Sequence, residues 1–345
     1  MHTAQIVGAA CLDLQPQMFG QPITTPGALA ETGPLIVRPG GPVSNTSRLI
    51  AALGAPVHLV ANIGDDELGR LLCDLLIEEH GPGQSLAVIP GTSASYSLVV
   101  QPPGRDRTYW LHVGANASFD GSQVDVRRAD LMHLGYPSML PVMTEQLGRP
   151  LRELFTLARA AEVTTSLDLS YIDPMSPAAA VDWSAVLRGL LPEVDILSPS
   201  IDDLTSALGW RASHTLDDAA EAGRRLVDLG AGIVMVTAAE AGLVVCTGSA
   251  RRLEQSSLLA PLADRWAEQK IRVPAVPVSV ADSSCAGDAA TAGLLYGVLV
   301  GLDLPTIAHL AATVAAQHIR GDRTFGMILR DQPGYRGEST LPVRG

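Results

Sequence analysis

Lysine is nearly absent: Lys270 is the single one in 345 residues, and no GxxxxGK[ST] pattern surrounds it. P-loop phosphate binding and most Schiff-base chemistry are therefore disfavoured. Cysteine is scarce and scattered, at Cys11, Cys73, Cys246 and Cys285, with no CxxC pair. That spacing indicates neither a zinc site nor a disulfide framework, and a reducing cytoplasm is the simplest compartment. Basic residues number 24 against 36 acidic ones, and the net charge of −12 repels phosphate backbones. No nucleic-acid partner is expected. A secretory signal is also missing, because Met1, His2 and Thr3 carry no basic stretch and Asp13 interrupts the first apolar strand. No apolar run reaches the roughly 20 residues of a membrane crossing. The longest, Ala289 to Leu302, lies between Asp288 and Asp303 and reads as a buried helix, so no membrane partner is expected either.

What is present is a globular composition, 47% hydrophobic and 17% charged, with no internal repeat or low-complexity tract. The length suits two units, or one large α/β body with an appendage. Short β-rich runs at Ile6–Ala10, Val57–Asn62, Leu131–Gly135, Thr164–Leu169, Asp195–Ser198 and Ile233–Thr237 alternate with helix-period stretches such as Glu67–Glu79, Leu151–Ala161 and Leu216–Leu229. This predicts an α/β fold, a doubly wound and mostly parallel sheet, with ligands at the carboxyl ends of its strands. Two segments break the rhythm: 14–38, rich in Pro, Gly and Thr, and 93–113, which reads as a β-hairpin around PPGRD. Together they predict a small β-sheet lid over a body made of 1–13, 39–92 and 114–330, with a C-terminal tail at 331–345. A surface hairpin without functional motion is the alternative.

The most informative segment is DSSCAGDAATAG, Asp282 to Gly293, between a strand-like run at Val276–Val280 and the apolar helix. Small residues let backbone amides approach a ligand, and a helix start favours an anion, so Ala286, Gly287 and Asp288 can ring a phosphate. A carboxylate beside an anion is unfavourable unless it has a task, such as accepting a proton from an attacking hydroxyl; otherwise Asp288 merely caps its helix. A second cluster, RPGGPVSNTS at Arg38–Ser47, offers Gly40 and Gly41 for close approach and Asn45 for hydrogen bonds to vicinal hydroxyls, or is simply a strand-to-helix turn. Asp13 closes the run Gly8–Asp13 where the crevice should open. His112 and His133 lie on strand-like runs, where a lone histidine is more often packed than ligating; His112, in the lid, is the candidate exception. Arg105 and Arg107 flank the hairpin turn and are most simply solvated.

The Gly40–Asn45 loop, NIGDDELG at Asn62–Gly69, GANA at Gly114–Ala117 and the Asp282–Asp288 block together resemble the ribokinase-like (PfkB) carbohydrate kinase family, in its order and over nearly the whole chain. The resemblance implies a Rossmann-like body with a β-sheet lid, and MgATP-dependent phosphorylation of a hydroxymethyl group on a sugar or nucleoside. It implies Asp288 as catalytic base; Ala286, Gly287 and the backbone of Cys285 as the anion hole; and Asp13, Gly40, Gly41, Asn45, His112 and Asn116 as substrate contacts. Ser200, Thr237, Gly242 and Asp282 fall on the nucleotide side and Asp203 on magnesium; whether a monovalent cation sits near Asp282 and Ser284, as it can in relatives, the sequence leaves open. A homodimer through the lid edge is expected. The chain departs from the family where Cys285 and Ala239 replace Gly, Ala290 replaces Phe, and Ser200 and Asp203 replace the Asn and Glu of the magnesium motif. The shorter Asp203 reaches a metal less far, through water, so weaker metal coupling is expected. Sugar kinase is the leading reading; nucleoside kinase and a catalytically silent sugar- or nucleotide-binding regulator are the competitors.

Overall fold

The computed structural model describes residues 1–22, 25–279 and 284–321. Runs of Val, Ile, Leu and Thr fold as the body strands, buried on both faces except at the edge strand Ser85–Ile89, the pattern that a helix-covered parallel sheet demands. These are β1 (Ala4–Gly8), β4 (Val57–Gly64), β5 (Ser85–Ile89), β8 (Leu131–Gly135), β9 (Thr164–Asp168), β10 (Ile196–Leu197) and β11 (Ile233–Thr237), all parallel. β12 (Gly242–Thr247) and β13 (Lys270–Pro274) continue the sheet antiparallel, giving nine strands in the order β13-β12-β11-β10-β9-β8-β1-β4-β5. The run at Val276–Val280 does not extend it: 276–279 carry no strand, because Pro274 and Pro277 bracket the exit and supply no N–H for pairing.

Period-2 alternation divides two cores. Ala4, Ile6, Leu59 and Leu131 face α1 (Pro42–Leu53), α2 (Glu67–His80), α9 (Ala286–Leu299) and α10 (Leu304–Ile319). Val7, Val60, Met132 and Leu134 face α3 (Pro141–Ala160), α4 (Trp183–Leu190), α5 (Ile201–Leu208) and α6 (Leu216–Asp228). The short α7 (Ala250–Leu253) and α8 (Ala263–Trp266) close the β12–β13 end. α9 is apolar all round and buried from Asp288 onward, as a helix enclosed by a sheet and two other helices must be. Gly293 permits this, since a Cβ there would stand 2.8 Å from Ala311 Cα of α10. No helix among the described residues is long and apolar enough to cross a membrane.

A separate four-stranded sheet, in the order β3-β2-β6-β7, is built from β2 (Cys11–Pro16), β3 (Leu35–Gly40), β6 (Tyr96–Val100) and β7 (Thr108–His112). β1 therefore ends at Gly8, and Asp13 stands on the small sheet rather than at the end of the first body strand. The NIGDDELG motif roots that sheet. Asp66 caps α2 by accepting from Gly69 N at 2.8 Å and also accepts from Ala94 N at 3.0 Å, just before β6.

Candidate active site

α9 starts at Ala286 after Cys285, and Asp288 is its third residue, 1% exposed. Its carboxylate takes bonds from other elements: from Asn45 Nδ2 to Oδ2 at 2.9 Å, from Thr46 Oγ1 to Oδ1 at 3.4 Å, and from the Tyr136 hydroxyl, 2.9 Å from each oxygen. No bond to its own helix is found, so Asp288 is not a cap. Burial pushes its carboxyl up to about 6; the Asn45, Tyr136 and Thr46 donors oppose that rise, and the charge of Asp203 adds to it.

Asp13 lies over Gly40, where a Cβ would come within 2.5 Å of its carboxyl group. Burial likewise raises Asp13 to about 6, with Asp288 adding and the Cys11 thiol and Ser97 hydroxyl opposing. Gly41, at φ +78, begins α1 with no room for a side chain, since a Cβ would sit 2.6 Å from Ala9 O. That places Asn45 where its Nδ2 reaches both Asp288 and Cys285 Sγ, the latter at 3.1 Å. A Cβ on Gly287 would meet nothing within 4 Å, so the helix start faces open space.

Along the strand ends, Asp168 closes β9 fully buried, and desolvation, then the Asp288 and Asp203 charges, hold its carboxyl well above the usual range. Thr291 of α9 bonds Asp168 and donates to Ser198 Oγ at 2.9 Å, tying α9 to β9 and β10. Ser200 caps α5 reciprocally with Asp203: Asp203 N donates to Ser200 Oγ at 3.1 Å and Ser200 N to Asp203 Oδ2 at 2.8 Å. Burial raises Asp203 to about 6 as well. Ser200 bridges to Thr237 at the end of β11, and Gly242, at φ +112, packs where a Cβ would meet Val273 O at 2.1 Å.

The structure thus brings Asp13, Gly40, Gly41, Asn45, Cys285, Ala286, Gly287 and Asp288 together, with Asp203 electrostatically coupled to them and Ser200 and Thr237 on neighbouring strand ends. Asp282 lies outside the described residues. His112 pairs with Tyr96 and shares its face with Leu12, opposite Asp13 and Ser97; it bonds Ser93 Oγ at 2.8 Å. Asn116 is buried at the β1–β2 junction, its Oδ1 accepting from Ala10 N at 3.2 Å. Arg107 is not solvated: its side chain is 12% exposed, its Nε bonds the Tyr109 hydroxyl at 2.6 Å, and Tyr109 in turn bonds Ser284 beside α9. The sequence reading missed Tyr136, Thr46 and Asp168. Asp168, an acid closing an apolar strand, had a readable signal; Tyr136 and Thr46 had none.

The family model for pfkB family carbohydrate kinases matches residues 4–324. This chain belongs to that family. Fructokinase-2 of Zea mays is 25% identical over 202 residues, 57% of this chain, and the chain spans 57% of that enzyme's length. The structure of Arabidopsis thaliana ribokinase complexed with ribose and ATP superposes with a TM-score of 0.72 at 19% identity, covering 96% of this chain and 99% of that one. A fructokinase with bound ATP from Xylella fastidiosa gives 0.68 at 22% identity, covering 94% of each. The large, mostly parallel sheet with a small separate sheet is thus the ribokinase fold.

Proposed function

We propose that this family member is an ATP-dependent phosphotransferase that phosphorylates a hydroxymethyl group of a sugar, with Asp288 as general base. The observation that carries this reading is the buried Asp288 carboxylate, held by Asn45, Thr46 and Tyr136 at an uncrowded helix start. There the free amides of Cys285, Ala286 and Gly287 attract the transferred phosphoryl group. Asp288 accepts the proton of the acceptor hydroxyl as its oxygen attacks phosphorus. Asp13 and Asn45 hold neighbouring hydroxyls, while the small sheet acts as a lid that excludes water, its Tyr109 bonded to Ser284.

Magnesium would be held by the phosphates of ATP together with one protein carboxylate; among the described residues no group of three His, Cys, Asp or Glu is placed to hold a metal by itself. Asp203 would be that carboxylate, reaching the ion through water, since its carboxyl group is already bonded by the backbone N–H and the side chain of Ser200. When bound, the ion neutralises phosphate charge. The engagement of Asp203 in its own cap favours a second reading, a silent binding protein. The exposed edge strand β7 is proposed to pair with a second copy, which light scattering tests.

An ADP-release screen with MgATP across pentoses, hexoses and nucleosides separates the readings. Turnover with a sugar is expected. Sugar binding with no ADP from any acceptor supports the silent reading, and turnover confined to nucleosides replaces the acceptor class.

A further inference from the structure

Tyr136 follows β8 in the left-handed region, at φ 61 and ψ 59, which is strained for a bulky residue. Two bonds hold it there. Its N–H donates to Asp168 O at 3.1 Å, and its carbonyl accepts from Met139 N at 2.9 Å. The conformation points the phenol across the crevice, placing its hydroxyl 2.9 Å from both Asp288 oxygens; Asn45 and Thr46 each reach only one. A strained residue contacting a reactive carboxylate marks a device rather than a defect.

We propose that Tyr136 is a positioning residue for phosphoryl transfer: its hydroxyl hydrogen, shared between Oδ1 and Oδ2, holds the Asp288 carboxylate ionised and aimed at the acceptor. The proposal rests on the reading of Asp288 as base. In the step, the acceptor O–H breaks and its proton passes to Asp288, a P–O bond forms to the acceptor, and the bond to ADP breaks. Tyr136 keeps its own proton. Burial, followed by the Asp288 charge, holds its hydroxyl well above the ordinary phenol range. The acids around Asp288 are Asp13 from β2, Asp168 from β9 and Asp203 from α5, with the Cys285 thiol before α9; the basic charges in reach of the same cluster are Arg48 from α1 and Arg107 from the small sheet, which act on Cys285, and Arg38, which acts on Asp13. Tyr136, Asn45 and Thr46 are the donors that oppose this acidic ring.

Tyr136→Phe removes the hydroxyl and keeps the ring. The test is a carbon NMR titration of 13Cγ-labelled aspartates in the free full-length protein, with the Asp288 resonance assigned by its loss in Asp288→Asn. Loss of a hydrogen bond to a charged group should move the Asp288 midpoint up by about one unit. Site-specific 3-fluorotyrosine at 136, a stronger donor of nearly the same shape, should move it down and keeps the test decisive if the Phe variant folds poorly. With MgATP and D-fructose or D-ribose, kcat of the Phe variant should fall about fivefold near pH 6, approach a tenfold loss by about pH 5 and recover by pH 8, with KM little changed. An Asp288 midpoint that moves in neither variant overturns the proposal whether or not the wild type is a kinase. Midpoints that move as stated, in a protein that phosphorylates nothing, uphold the Tyr136–Asp288 coupling and remove the kinase reading instead.

Discussion

Asp203 and Asp288 occupy the same local position, the third residue of a helix, and burial raises both to about 6. Their partners differ. Asp203 turns one oxygen back to the backbone of Ser200, so its bond is local and satisfies the start of α5. Asp288 ignores its own helix and is held by side chains from α1 and from the turn after β8, 243 and 152 residues away in sequence. A capping residue could be assembled by any helix. A carboxylate kept buried and bonded by three long-range donors at an open helix start exists only because the tertiary fold builds it, which is why we propose a chemical role for Asp288 and a structural and metal-side role for Asp203.

The contrast can be broken most strongly by pH. With the Asp288 carboxyl at about 6, activity should be full near pH 8 and fall tenfold per unit below 6, about 100-fold by pH 4, measured as kcat/KM. Stability should move the other way. Asp13, Asp203 and Asp288 are all raised from 3.8 to about 6, so the folded state binds more protons than the unfolded one between those values. Their contribution is full below pH 4 and is lost as pH rises through 6, on the order of 3 kcal/mol for each group in denaturant titrations. A flat unfolding free energy from pH 4 to 7 would show these acids to be solvated.

On the Asp203 side the effects are smaller. Asp203→Glu should lower the magnesium needed for half-maximal rate several-fold, since the longer arm reaches the ion while still suiting the cap; identical titrations would place Asp203 away from the metal. Ser200→Ala should cost about 1 kcal/mol of stability through the lost cap, read as a lower denaturant midpoint at unchanged slope. Smallest are Cys285→Gly and Ala239→Gly, at φ 57 and φ 47. Each relieves left-handed strain and should stabilise by about 0.5–1 kcal/mol after the entropy cost of glycine. A destabilised Cys285→Gly would mean that the Asn45–Cys285 contact outweighs the strain.

Those two residues also show what a sequence can reveal. Cys285 and Ala239 stand where the family has glycine, and both adopt the backbone that glycine favours, so the motif carried the geometry even where the residue changed. The body strands were readable because periodicity and four ordered motifs agree; Asp288 and Asn45 were each singled out, but the bond between them was not. β12 and β13 were not read, since an antiparallel meander lacks the helix alternation that signals the rest. His112 stands on the face opposite Asp13 because strand register decides which side of a sheet a residue takes, and register was not visible beforehand. Tyr136 was invisible for a related reason: a tyrosine before a proline in a turn has no period, and its meaning comes from φ and a partner 152 residues away.

The central claim is tested most directly by Asp288→Asn, with turnover, calorimetric sugar affinity and melting temperature measured at pH 8 on one preparation. We predict turnover lower by about 10² to 10⁴, sugar binding nearly intact, and a melting temperature no lower than that of the wild type, because a buried charge has been removed. A variant that turns over normally but melts earlier would contradict the account and return Asp288 to a structural role.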